Sequence, residues 1–292
     1  MTVIQFPHPG RERPGSDWAK VDDDHARRFM QATGFARKDA SDQSDIKGPL
    51  QLWGEWEADA TLLATQNQPP PGHPQYLWSP VVRPRSSYVG LHNTDPFVFD
   101  GPFLYSNCRQ GQGGGILRNL QRGDLLLFGS KSGNDFVLDT AFVVGKVHGR
   151  FNAASAKEAC KSLHLHPSRG AADSFIHATA SPIEASVIRP GCAPPPNPCG
   201  AGATYVLYEG ATAKEPVDGM FSFAPAAPAT KDFRGFARPA IRLHDINPYC
   251  YRRYKILRGV VAKEAWKDVV EQVCRGGLLL GWCFTIDAST GR

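Results

Sequence analysis

The chain lacks most of the features that announce a function. Its 292 residues contain no apolar run approaching the roughly 18–20 residues a membrane-crossing helix needs, so no membrane partner is expected. The opening MTVIQFPHPGRERPG has neither an apolar stretch nor a cleavage site. A secretory leader is therefore not expected, and a cytoplasmic location is. Cysteine is scarce and odd in number, seven in all, which points to reduced thiols rather than a disulfide framework. Cys192 and Cys199 flank a proline-rich turn without paired CxxC spacing, so neither a metal nor a cofactor is expected. HExxH and GxSxG are missing, as is the zinc-deaminase pattern of HxE with PCxxC. The glycine run at 111–115 is neither GxGxxG opening a helix nor GxxxxGK[ST], which argues against a nucleotide phosphate loop. Charge of either sign is modest: 33 Lys and Arg against 28 Asp and Glu give a net +5, far from the density of a dedicated non-specific DNA binder.

What is present is a globular composition. Residues are 41% hydrophobic and 21% charged, enough apolar material for one large domain or two modest ones. Residues 1–20 read as an irregular Pro/Gly arm. The acids Asp22, Asp23 and Asp24 before HARRFMQAT predict a short helix stopped at Gly34. LQLWGEWE at 50–57 alternates like a strand, QNQPPPGHP at 67–75 reads as a loop, and an irregular stretch continues through Asp100. Short strands are predicted at Phe103–Tyr105 and Leu125–Phe128. QRGD at 121–124 reads as a turn and GSKSGND at 129–135 as a hairpin turn. A bulged strand or strand pair is predicted at 136–147. Residues 153–163 read as a helix and 189–203 as a loop. Tyr205–Tyr208 reads as a strand, and Met220–Phe223 as strand-like and ended by Pro225 and Pro228. Trp266, Val269, Val270 and Val273 fall on one face of a helix over Lys263–Arg275, ended by Gly276, before a buried strand at 278–286.

The strings FLYSNCRQ, LRNLQRGDLLLFGS and FVLDTAFVVGKV, within 103–147, resemble the PUA-like superfamily, particularly its EVE, ASCH and YTH-type members. The resemblance implies an α+β fold: a PUA-like curved mixed sheet or partial barrel with peripheral helices and long loops. It implies one enlarged domain over 1–292, with the PUA-like core near 50–150 and residues 151–292 completing or packing on the same sheet. HNTDPFVF (92–99), LYEGAT (207–212) and DGMFSFAP (218–225) are similar to strings of a bacterial protein family, which implies a single unit and no particular chemistry.

A PUA-like domain implies recognition of a nucleobase, modified or not, in a DNA or RNA modification or defence setting, with nucleic acid or a nucleotide as partner. Such a pocket needs aromatic faces and a few aimed polar groups. Trp53, Trp56, Tyr76, Trp78 and Tyr105 are the candidate faces. Asn93, Asp95 and Asn107 could read a base edge, and Arg109 and Arg118 could hold phosphate. Trp53 and Trp56, three apart, are expected on opposite faces of their strand.

Catalysis stays open on the sequence, and the shortage of catalytic motifs favours binding. Glu55 and Asp95 are candidate general acids or bases if buried beside aromatics. FIHATA (175–180) faintly resembles the HxT element of ADP-ribosyltransferase-like folds, implying His177, Thr179 and Glu209 around a nucleotide or NAD-like substrate. A structural protein without catalysis is the third reading.

Overall fold

In the computed structural model the described residues are 1–8, 10, 12, 27–56, 60–81, 94–106, 108, 110, 115–151, 205–250 and 254–286. Among them are thirteen strands and one helix, an α+β arrangement dominated by strand. The first sheet runs β12 (Lys255–Ile256), β1 (Val3–Pro7), β7 (Leu125–Ser132), β8 (Asp135–Phe151), β9 (Tyr205–Gly210), β6 (Leu104–Tyr105), with β11 (Ala240–Ile241) also on β8. β1 and β7 are parallel; the other pairings of this sheet are antiparallel.

The second sheet runs β13 (Leu279–Thr285), β10 (Ala224–Pro228), β3 (Ile46–Glu55), β2 (Arg27–Arg37), β5 (Tyr76–Pro80), β4 (Ala60–Thr65). β13 pairs with β2 as well as β10, so β2, β3, β10 and β13 close into a small ring. Strands after residue 204 thus enter both sheets.

The apolar pattern explains the layering. Leu126 and Phe128 face a core shared with Met30, Leu52, Trp56 and Trp78 of the other sheet. Leu125 and Leu127 face a second cluster under the helix α1 (Ala262–Arg275). A strand buried on both faces reads as an unbroken apolar run, as LLLF does. α1 contributes Ala262, Ala265, Trp266, Val269, Val270 and Val273 to that second cluster, and the Trp266 indole N–H donates to the Phe221 carbonyl at 2.9 Å.

Several sequence expectations are corrected. The described part of the predicted helix over HARRFMQAT, from Arg27, belongs to β2 (Arg27–Arg37): from Gln31 to Arg37 its residues alternate between partly exposed and buried, and β3 pairs with it from Arg27 to Ala36. Pairing along ten residues outweighs the weak local preference for a helical first turn. Gly34 lies inside this strand, where an added Cβ would come within 2.6 Å of the Cys283 carbonyl oxygen of β13. The supposed N-terminal arm contains β1, whose five residues are all buried. The strand expected at 220–223 lies later, at β10, with Pro225 inside it and Pro228 as its last residue. The turn read at 129–135 is shorter. β7 continues to Ser132, and only Gly133 and Asn134 connect it to β8, with Gly133 at φ 57°. The candidate elements at 153–163 and 189–203 lie outside the described residues. No helix of the described residues is long and apolar enough to cross a membrane.

One irregularity positions the site described next. Phe128 pairs with Thr140, but Gly129 pairs with Leu138, so Asp139 is an extra residue that the β7–β8 ladder skips. Such a bulge turns a side chain away from its regular alternation. Gly129 permits it, since a Cβ there would sit 2.2 Å from the Val137 carbonyl oxygen. Gly129→Ala is expected to destabilise the fold by about 1–3 kcal/mol, the range for overpacking a close contact, read as a lower urea midpoint at unchanged m-value.

Candidate active site

The ends of three strands and one loop bring a buried set of ionisable side chains together. His8 directly follows β1, and its backbone N–H donates to the Gly129 carbonyl at 2.6 Å, which continues the strand's alignment with β7. Arg27 opens β2 and Glu55 closes β3, and the two are direct cross-strand partners. Asp139 is the bulged residue of β8. Cys108 lies in the loop after β6, half-buried.

These groups form a continuous chain. Cys108 Sγ lies 3.3 Å from His8 Nε2. The other ring nitrogen, Nδ1, lies 2.9 Å from Glu55 Oε2. The same oxygen is 3.1 Å from Arg27 Nη1, and Arg27 Nε is 2.9 Å from Asp139 Oδ2. Asp139 Oδ1 is 3.4 Å from Arg238 Nη1. Arg238 also donates to Ser130 Oγ and to the Gly10 carbonyl. The side chains of His8, Arg27, Glu55 and Asp139 are each no more than 3% exposed. The His8–Glu55 and Arg27–Asp139 contacts lie within ion-pair distance, His8 carrying charge only when protonated, and their angles are not those of hydrogen bonds. Catalytic contacts commonly reach full alignment only around a substrate.

Electrostatics follow from burial and neighbours. Burial alone would drive the Arg27 guanidinium toward its neutral form. Glu55 and Asp139 outweigh that and hold it above its ordinary value, so it is charged. Burial lowers Arg238, with Asp139 opposing and Arg27 adding to the fall. Burial raises the Glu12 carboxyl, against the Gln75 and Tyr76 backbone N–H groups it accepts from and the nearby charge of Arg238.

The Cys108 loop is pinned on both sides. The Asp95 carboxylate accepts the backbone N–H of Cys108 at 2.7 Å and that of Ser106 at 3.0 Å. The Tyr105 hydroxyl donates to the Cys108 carbonyl at 2.8 Å. The Gln110 amide bonds both the N–H and the C=O of Val206, at 2.6 and 2.8 Å. The thiol is thereby held toward the imidazole. Because the Cys108 N–H is committed to Asp95, any oxyanion formed at this thiol needs other donors.

Sequence-selected residues fall into three groups. Trp53, Trp56, Trp78 and Tyr105 are at most 4% exposed. Trp53 packs with Phe29 and Leu77, and Trp56, one residue past the end of β3, with Phe97 and Phe99 in a different cluster. Trp78 lies under the Arg28 guanidinium, 4.7 Å from the ring centroid, and Tyr105 stacks on Tyr208. Trp56, Trp78 and Tyr105 belong to the core between the sheets, and Trp53 to a smaller cluster. Tyr76 and Arg118 are half-buried. Asp95 is the loop clamp just described. Asn93, Asn107, Arg109, His177 and Thr179 lie outside the described residues, while Glu209 pairs with His148 at 2.7 Å. Of the residues selected for chemistry, Glu55 alone enters the thiol–imidazole chain. His8 and Cys108 carry no motif spacing, being separated by 100 positions, and no local signal marks them. Among the described residues no group of three or more His, Cys, Asp and Glu is placed to hold a metal ion.

The fold and this site define a two-sheet β-rich protein with a buried thiol–imidazole–carboxylate chain. Compared with protein-family models, curated proteins and solved structures, the chain matches none.

Replacing Asp95 with Ala leaves the buried Ser106 and half-buried Cys108 N–H groups unpaired, at about 1–3 kcal/mol for each such group. A fall in the denaturant midpoint of that order is the expected result, measured by tryptophan fluorescence.

Proposed function

We propose that the chain is a thiol-dependent group-transfer enzyme in which Cys108 is the nucleophile, His8 its general base and Glu55 the group that orients the imidazole. The observation that carries this reading is the order Cys108–His8–Glu55, with 3.3 Å at the thiol and 2.9 Å at the carboxylate. A nucleophile next to a base that a third group orients is the general arrangement of covalent catalysis. The thiol proton passes to His8 Nε2 as Sγ bonds to an electrophilic carbon. The bond from that carbon to its leaving group breaks, and the imidazolium returns the proton to the leaving group. Water or another acceptor, deprotonated by His8, then takes the group from Sγ, and the proton returns to the thiolate.

Two other described cysteines have raised thiols. Burial, with help from Asp39, raises the Cys274 thiol, and burial first and Asp100 second push Cys283 up to about 11. Iodoacetamide labelling read by peptide mass spectrometry at neutral pH is expected to modify Cys108 first. His8→Ala is expected to slow that modification about tenfold or more, with Glu55→Gln intermediate. A Cys108 rate no faster than that of Cys274, and unchanged by His8→Ala, overturns the reading.

The nucleobase reading of a PUA-like domain is a second proposal. It is supported by the order β6, turn at 115–124, β7, hairpin and β8, and by the half-buried Arg118 beside that turn. Thermal-shift screening against modified nucleosides and oligonucleotides tests it. Stabilisation that Arg118→Ala weakens is the expected result, and no stabilisation by any of them removes it.

A further inference from the structure

The ion-pair chain does not stop at Glu55. From His8 it runs through Glu55, Arg27 and Asp139 to Arg238, and Arg238 returns to the Gly10 carbonyl, two residues from where the chain began. The 8–10 segment is therefore held at both ends of one buried circuit, with side chains no more than 3% exposed until Arg238, at 10%. Arg27 is its centre, since it alone touches both carboxylates. An isolated buried arginine is costly, and this one faces two anions rather than one. A single carboxylate would suffice for pairing alone. The second comes from Asp139, which the bulge displaces from the β7–β8 ladder and which also pairs with Arg238.

We infer that Arg27 is a positioning residue for the thiol–imidazole pair, acting through Glu55, and that Asp139 sets how much of its positive charge the site feels. The inference rests on the thiol reading above. The charged and titratable groups toward the Cys108 end are His8 from the end of β1, Tyr105 from β6 and Asp95 from the segment before it, then Glu55 of β3 between His8 and Arg27, with Asp139 beyond Arg27. Arg27 favours the thiolate by Coulomb attraction, and Asp139 offsets it.

The sign of each change follows. Removing the cation disfavours the thiolate, so its titration moves to higher pH; removing the offsetting anion moves it lower. A residue that merely props the fold would move neither midpoint, or would move both the same way through loosening.

The test is the pH profile of Cys108 alkylation by iodoacetamide in the full chain, with cooperative thermal melting recorded for each variant. Arg27→Met is expected to raise the midpoint by up to about one pH unit, because Arg27 reaches the thiol only through Glu55 and His8, and Asp139→Asn to lower it. Arg27→Lys, which keeps the charge, is expected to restore most of the shift. If the two central variants do not fold, Arg238→Met at the more exposed end carries the test, with a smaller rise expected. Unchanged midpoints in the folded variants, or shifts of one sign for Arg27→Met and Asp139→Asn, overturn the inference. If His8→Ala also leaves Cys108 alkylation unchanged, the thiol reading itself has failed. If His8→Ala acts and the Arg27 and Asp139 variants do not, only the positioning role has.

Discussion

The meeting of His8 and Arg27 at one oxygen of Glu55 is the constraint on which the rest of the site depends. That oxygen is out of water, and a buried carboxylate is tolerated only when opposite charge or donors surround it. Two elements supply them: the residue after β1 in the first sheet and the first residue of β2 in the second. The sheets must therefore approach in one relative position, or a charge is left uncompensated. Apolar packing between Phe6, Phe128, Met30 and Trp56 provides the attraction, but such packing accepts small slides. The ion-pair chain does not.

The same logic explains why the strands carry irregularities here. A regular β8 would alternate Asp139 with its neighbours and match each residue to one on β7. The bulge opposite Phe128 and Gly129 breaks that alternation and delivers the carboxylate to Arg27. On the thiol side, a short strand and a clamped loop do the equivalent work. Asp95, Tyr105 and Gln110 fix the backbone on either side of Cys108, so the sulfur meets the imidazole without secondary structure of its own. Backbone hydrogen bonds to side chains replace a ladder where the chain has to turn.

Much of the scaffold was legible along the chain. LLLF reads as a strand buried on both faces because alternate residues enter two different clusters, and the face of α1 is marked by Trp266, Val269, Val270 and Val273. Trp53 and Trp56 enter different clusters, although Trp56 lies one residue beyond the strand and outside its alternation. HARRFMQAT misled because acids before a segment and a glycine after it suit a helix, while the pairing partners that make it β2 lie beyond any local window. The arm at the N-terminus misled for the same reason: β1 is a strand because β7, more than a hundred residues later, lies beside it. Of the aromatic candidates, Trp53, Trp56, Trp78 and Tyr105 are buried and Tyr76 is half-buried, a difference that depends on tertiary contacts rather than on local spacing.

By itself the sequence determined the strands around 125–128, 136–147 and 205–208 and the apolar face of the helix over Lys263–Arg275, because these depend on the spacing of neighbours along the chain. It also marked Glu55 as a carboxylate able to act if buried. Only the tertiary structure decided that Glu55 faces His8 and Arg27, that Cys108 reaches the same imidazole, and that Asp139 leaves its ladder to join them. The reason is physical. A thiol, an imidazole and a carboxylate act together through contacts of a few ångströms, and here those contacts link residues whose separation along the chain leaves no period or motif to read.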